Sequence, residues 1–269
     1  MKAETIGIIS IKGGVGKTTT AVNLATVMAK NYNKKILLVD SNISSPNLGL
    51  HLGLSEAETG LHDVLENRIL TREAIYKHEY GFDVIPSSIK GTTANPHKLK
   101  EKLKGVSKNY DLIILDTSPT INNELLAAMH AANKLFVVST PDRVTLDMTV
   151  RATKVAKEKG TPILGIIVNR ARNKKYEVPK ERIEKKAKTP VIATIRENNK
   201  IHQSLHKTTP VVITNPHSKI AREFNKLAAV ILEEKWKEPS LLKKMKNYLT
   251  EDYESFKHHN FKKKLTYYK

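Results

Sequence analysis

"SIKGGVGKTTT" (residues 10–20) places two lysines, Lys12 and Lys17, around one cluster of glycines. The apolar stretch TIGIISI (5–11) leads into it, and a helix-period stretch from Thr18 to about Lys30 follows. A glycine-rich turn between a strand and a helix binds anions. Its small residues let backbone N–H groups turn inward, and the helix N-terminus adds positive partial charge. The usual spacing, G-x-x-x-x-G-K-[ST], would put a first glycine at Ile11, and that glycine is absent. The loop is therefore a deviant one. Gly13, Gly14, Val15 and Gly16, with Lys17, Thr18 and Thr19, are expected to cradle phosphates. Lys17 should reach the β- and γ-phosphates and Thr18 should ligate Mg2+. Lys12 has no role in an ordinary loop of this kind. A chance glycine turn is the alternative, and the flanking strand and helix argue against it.

Outward from the loop, apolar runs repeat. They are KILLVD (35–40), FDVIPS (82–87), DLIILD (111–116), KLFVVST (134–140), PILGIIVNR (162–170) and PVIATI (190–195). Short apolar runs without alternation are the mark of strands buried on both faces. Helix-period stretches at 97–107, 122–132, 143–158, 179–187 and 217–235 separate several of them. The pattern predicts an α/β fold with a three-layer, doubly wound, mostly parallel sheet and helices on both faces. Ligands then bind outside the carboxyl ends of the strands. Asp116 ends one strand after four apolar residues, where a carboxylate can join an Mg2+ shell.

The chain has 269 residues, no cysteine and a net charge of +19. No thiolate metal site or cysteine-held cluster can form. The N-terminus reads as a first strand and not as a signal peptide. No run of about 18 apolar residues appears, so no membrane span is expected. The positive excess points to an anionic surface, nucleic acid or acidic lipid, or simply to solubility. Composition shifts near Pro239, which divides the chain into an expected domain over 1–238 and a basic tail over 239–269.

KGGVGKTT resembles the deviant loop of the MinD/ParA group of P-loop ATPases, and the resemblance runs over roughly residues 3–235. In that group the early lysine reaches across a dimer interface to the phosphates of the partner's ATP. The resemblance thus implies an ATP-dependent homodimer and gives Lys12 a role in catalysis. LLVDSNISSPNLGL (37–50) matches the segment that usually carries D-x-D, whose second Asp positions the attacking water. Here Asp40 is followed by Asn42, so hydrolysis is expected to be slow unless Asp40 serves instead. Asn47 falls where the group has an interface asparagine, or is turn chemistry beside Pro46. DLIILDTSPT matches the Mg2+-binding strand and switch, with Thr120 in place of the usual glycine. IIVNR (166–170) matches the adenine-reading strand, where Asn169 offers both a donor and an acceptor. Arg196 stands where the group has a proline. Asp147, on the helix after STPD, is expected on a solvated face.

Two basic regions suggest attachment surfaces. Residues 170–188 carry nine basic residues and three acids, readable as a DNA-binding surface or as a solvated helix with pairs such as Glu181–Lys185. Residues 235–269 hold ten lysines against four acids. There Leu241, Leu242, Met245, Tyr248 and Leu249 share a helical face flanked by Lys243, Lys244 and Lys246, a short basic amphipathic helix suited to a lipid interface. It resembles the membrane-targeting helix of MinD, and docking on the domain is the alternative. The implied protein is cytoplasmic and peripheral on the inner face of the cell membrane, with an activating partner the sequence does not identify. Alternatives are a ParA-like partition ATPase on DNA, a maturation-type ATPase without cysteines, and a tyrosine kinase whose tail holds Tyr248, Tyr253, Tyr267 and Tyr268.

Overall fold

Neighbouring residues of a strand face opposite ways, and this chain fills both directions with aliphatic side chains. Ile36, Leu38, Leu112, Ile114, Phe136 and Val138 enter one core. Leu37, Val39, Ile113, Leu115, Leu135 and Val137 enter a second. A sheet buried on both faces follows. The computed structural model describes residues 3–54, 57–87 and 94–236. The expected tail helix lies outside the described residues.

The strands are β1 (Glu4–Ile9), β2 (Ile36–Asp40), β3 (Tyr76–Lys77), β4 (Asp83–Ile85), β5 (Leu112–Asp116), β6 (Lys134–Ser139), β7 (Ile163–Ala171) and β8 (Val191–Arg196). The helices are α1 (Lys17–Tyr32), α2 (Leu48–His51), α3 (Leu61–Leu65), α4 (Leu99–Lys104), α5 (Asn123–Ala131), α6 (Arg143–Glu158), α7 (Lys180–Ala187), α8 (Asn199–His206), α9 (Val211–Thr214) and α10 (Lys219–Ile231). The sheet runs β3-β4-β2-β5-β1-β6-β7-β8. Only β3 is antiparallel to its neighbour among the described strands.

Helices α1 and α10 cover one face, through Leu24, Met28, Phe224 and Leu227. Helices α3 to α7 cover the other, through Leu61, Leu103, Leu125, Leu146 and Ile183. The order reverses at β1, which pairs with β5 on one side and β6 on the other. That reversal opens a crevice at the carboxyl end of β1, and the 10–16 loop sits there. Among the described residues, no helix is long and apolar enough to cross a membrane.

Each expected strand is present, within two residues at either end. The expected helix at 97–107 contracts to six residues with 3-10 turns on either side, and that at 217–235 stops at Ile231. Glu233, with φ of 55°, has already left helical geometry.

Candidate nucleotide-binding site

Glycine is required at two points of the loop. Gly14 has φ of +74° and Gly16 of +93°, a region that L side chains avoid. A Cβ on Gly16 would also stand 2.3 Å from Asn169 Nδ2. Asn169 lies at the end of β7, buried, and its Nδ2 donates to the Val15 carbonyl at 2.8 Å. The side chain read as an adenine contact thus also braces the loop, with one amide N–H spent and the second N–H and Oδ1 left for a base edge. Helix α1 starts at Lys17, directly after the αL residue Gly16. Thr20 closes the turn, its N–H and hydroxyl both donating to the Gly16 carbonyl, at 2.9 and 2.8 Å.

Lys17 is buried, and burial holds its ammonium below the usual lysine range while the charge of Asp116 pulls it back up. Asp116 is buried at the end of β5, in register with Asp40 of β2. Its Oδ1 has no hydrogen-bond partner among the described residues. Burial pushes this carboxyl up, against the Thr18 hydroxyl, the charges of Lys17 and His51 and the Thr117 N–H. An orphaned carboxylate oxygen beside a threonine hydroxyl is a pair of hard oxygen donors, which fits Mg2+.

Asp40 is engaged differently. Its carboxylate accepts N–H bonds from Asn42 at 3.1 Å, Asn47 at 3.2 Å and Leu48 at 3.0 Å. Burial and the facing charge of Asp116 push it well above the usual carboxylate range, and those three N–H groups pull it down. Asp40 therefore anchors the 41–48 loop. The Asn42 amide donates to the Ser45 carbonyl, which also accepts from Asn47 Nδ2 at 2.9 Å. Ser41 Oγ donates to the Asp116 carbonyl at 2.7 Å, tying the loop to β5.

Lys12 turns toward α6. Its Nζ donates to Thr145 Oγ1 at 2.7 Å and lies 3.4 Å from Asp142 Oδ1. Asp142 is the N-cap of α6, accepting from the Thr145 N–H at 2.9 Å, and Thr140 Oγ1 donates to it at 2.6 Å. Partial burial raises the Asp142 carboxyl, but these hydrogen bonds and the Lys12 charge outweigh it and hold it down at about 2. Asp147 is exposed, as expected, and Asp142 meets the lysine. The signal was present in STPD, an N-cap aspartate before a helix. The pairing spans 130 residues and left no local trace. At the departures from the family pattern, Thr120 N–H donates to Ser118 Oγ at 3.4 Å, and Arg196 is exposed, its backbone N–H donating to Glu223.

The structure thus brings Gly13 to Thr19, Asp40, Asn42, Asp116 and Asn169 to one end of the sheet, with Lys12 on the rim. A doubly wound parallel sheet with a phosphate loop at its switch point defines a P-loop nucleotide-binding protein. Comparison with known proteins agrees. The family model described as an AAA domain matches residues 3–159. An uncharacterised ATP-binding protein of Methanocaldococcus jannaschii is 34% identical over 93% of this chain and 95% of its own length. The septum site-determining protein MinD of Thermotoga maritima is 29% identical over 84% of this chain and 87% of its own. The solved structure of Pyrococcus horikoshii MinD complexed with Mg-ADP superposes with a TM-score of 0.81 at 31% identity, covering 85% of this chain and 96% of that one. The chain belongs to the MinD/ParA family of ATPases.

Proposed function

We propose that this chain is a nucleotide-gated switch. It binds ATP with Mg2+, dimerises when ATP-loaded, attaches to an anionic membrane surface through its C-terminal segment, and hydrolyses ATP slowly. One observation carries the reading: Lys12 is half-exposed on the rim of a loop that already holds Lys17 for the phosphates. A second cation there serves a phosphate its own loop does not need it for. Supplied to the nucleotide of a second copy, it makes dimer formation depend on the γ-phosphate.

The other roles follow from the donor set. Backbone N–H groups of Gly13 to Thr19 hold the phosphates at the α1 N-terminus. Lys17, out of water, attracts them more strongly than a solvated lysine would. Thr18 and Asp116 are the residues to hold Mg2+, which when bound neutralises phosphate charge. Asn169 has the free amide positions to read adenine. Asp40 fixes the loop that carries Asn42, and the Asn42 amide can orient a water but takes no proton from it.

Light scattering with ATP and with ADP tests this. Wild type should dimerise with ATP alone, and Lys12→Ala should bind nucleotide yet stay monomeric. A Lys12→Ala protein that still dimerises on ATP overturns the reading. A second reading, a partition ATPase on DNA, is favoured by the largely exposed basic residues of 170–188. Retention of the ATP form on DNA and not on vesicles would select it.

A further inference from the structure

Helices α6 and α7 leave an open groove of about 800 Å3 between them. Its floor is largely apolar, made by Val150, Ile163, Ala187 and Pro190 with Thr153, Thr161 and Thr189, whose hydroxyls donate to the Val150, Met129 and Ala187 carbonyls. Its banks are cationic. Lys154 and Lys157 rise from α6, and Lys185, Lys186 and Lys188 from α7 and its end. All five are exposed, and the ion pairs among the described residues involve none of them. Two acids share the lining, Glu181 and Glu184. Glu184 is turned to the protein, accepting the Val191 N–H at 2.9 Å. Glu181 and Lys185 have the spacing of a helix-stabilising pair but do not figure among those ion pairs.

Like charges facing each other across a groove repel, and the two lining carboxylates offset only part of the charge of five lysines. An apolar floor between two cationic banks is the complement of one object: a helix with an apolar stripe flanked by carboxylates. Burial of the stripe supplies affinity, and the flanking charges supply orientation and encounter rate. Nucleic acid fits less well. Its phosphates would use the banks and leave the floor without a partner. We propose that this groove docks an acidic amphipathic helix of a partner protein.

The groove stands apart from the nucleotide site. Thr161 and Pro190, which precede β7 and β8, line it, so it opens at the amino ends of the strands. From the Asp142 cap to Lys154 is about 18 Å of helix. Docking therefore leaves the phosphate loop open, and the proposal goes beyond the nucleotide-switch reading without depending on it.

The test uses the full chain and a labelled synthetic helix about five turns long, with leucines on one face and glutamates on its flanks. Fluorescence anisotropy follows binding. Three competitors are the same leucine stripe flanked by lysines, the acidic peptide with its order scrambled, and duplex DNA. The acidic amphipathic helix should bind, and the scrambled and basic peptides should be weaker by about tenfold or more, the step of 1.4 kcal/mol in affinity. Lys154→Glu with Lys185→Glu should weaken it by a similar factor and leave binding of an ATP analogue unchanged. Failure of the acidic helix to bind, equal binding by the scrambled peptide, an unaffected double variant, or displacement by DNA at lower concentration than by unlabelled peptide would each overturn the proposal.

Discussion

Asn42 and Asp142 each bear on one step of the proposed switch, the first on hydrolysis and the second on Lys12. At position 42 a carboxylate could hold the attacking water and take its proton, and an amide can only hold it. Positioned bases contribute about 10²–10⁴-fold to rate. Asn42→Asp should therefore raise ATP turnover by about 10²-fold or more while leaving nucleotide affinity near wild type. Unchanged turnover in a steady-state phosphate-release assay would assign the water to another group. Asp142 acts on Lys12. An ion pair with side chains 37% and 47% exposed is worth about 0.2–1 kcal/mol. Asp142→Asn keeps an oxygen to cap α6 and removes the charge that draws Lys12 inward. Counted once in each of two subunits, this should lower the concentration needed for ATP-dependent dimerisation by a factor of about 2–30. Sedimentation velocity measures it, and a rise would mean that Asp142 presents Lys12 to its target. Gly16→Ala should abolish nucleotide binding, because the new methyl meets the Asn169 amide at 2.3 Å. Calorimetric titration reads that directly.

Among elements, the ones that could be read from the chain are those with long runs or a fixed chemistry. β1, β2 and β5 to β8 each carry five or more residues, nearly all buried. β3 has two residues on a sheet edge and no periodicity to see. α8 fully buries only Ser204, and its two apolar residues, Ile201 and Leu205, are too few to mark a helix in the sequence. α2 and α9 have four residues each and exist because neighbours hold them. α9 is held from α1: Asn23, buried, donates Nδ2 to the Thr19 carbonyl and accepts the Val212 N–H at 3.2 Å. Thr26, one turn on, bonds only within its own helix, to the Val22 carbonyl. The contrast is testable. Asn23→Ala strands a buried N–H and should cost about 1–3 kcal/mol, a loss of several degrees in Tm. Thr26→Val should stay within about 0.5 kcal/mol. Equal losses in thermal melts would show that the link between α1 and α9 contributes nothing. The nucleotide loop was legible because its glycines and lysine sit on consecutive residues. The Lys12–Asp142 contact and the α6–α7 groove were not, because each joins segments that only the finished sheet brings together.

At the scale of the whole molecule, the proposed membrane attachment would draw on charge and on apolar side chains of residues 239–269. The apolar side chains of Leu241, Leu242, Met245 and Leu249 would gain about 1.5–3 kcal/mol each on burial in a lipid interface. Ordering about ten residues costs about 1–2 kcal/mol each. The ordering cost matches or exceeds the burial gain, so a single copy should bind a membrane weakly. Two copies joined by ATP, as the proposed switch requires, would change that. Once one segment is down, the other is held near the surface at an effective concentration of the millimolar order, and the pair binds far better than either alone. The flanking lysines add about 1 kcal/mol each near an anionic surface, and salt screens them. Full-length protein should therefore co-sediment with phosphatidylserine vesicles in ATP, much less in ADP, and less again at high salt. Leu241→Glu with Leu242→Glu should abolish sedimentation and spare both nucleotide binding and dimerisation. Lys12→Ala should lose sedimentation through loss of the dimer, with its segment intact. Equal sedimentation in ATP and ADP would break the link between nucleotide and attachment. Persistence in the double-glutamate variant would place the membrane contact elsewhere on this basic surface.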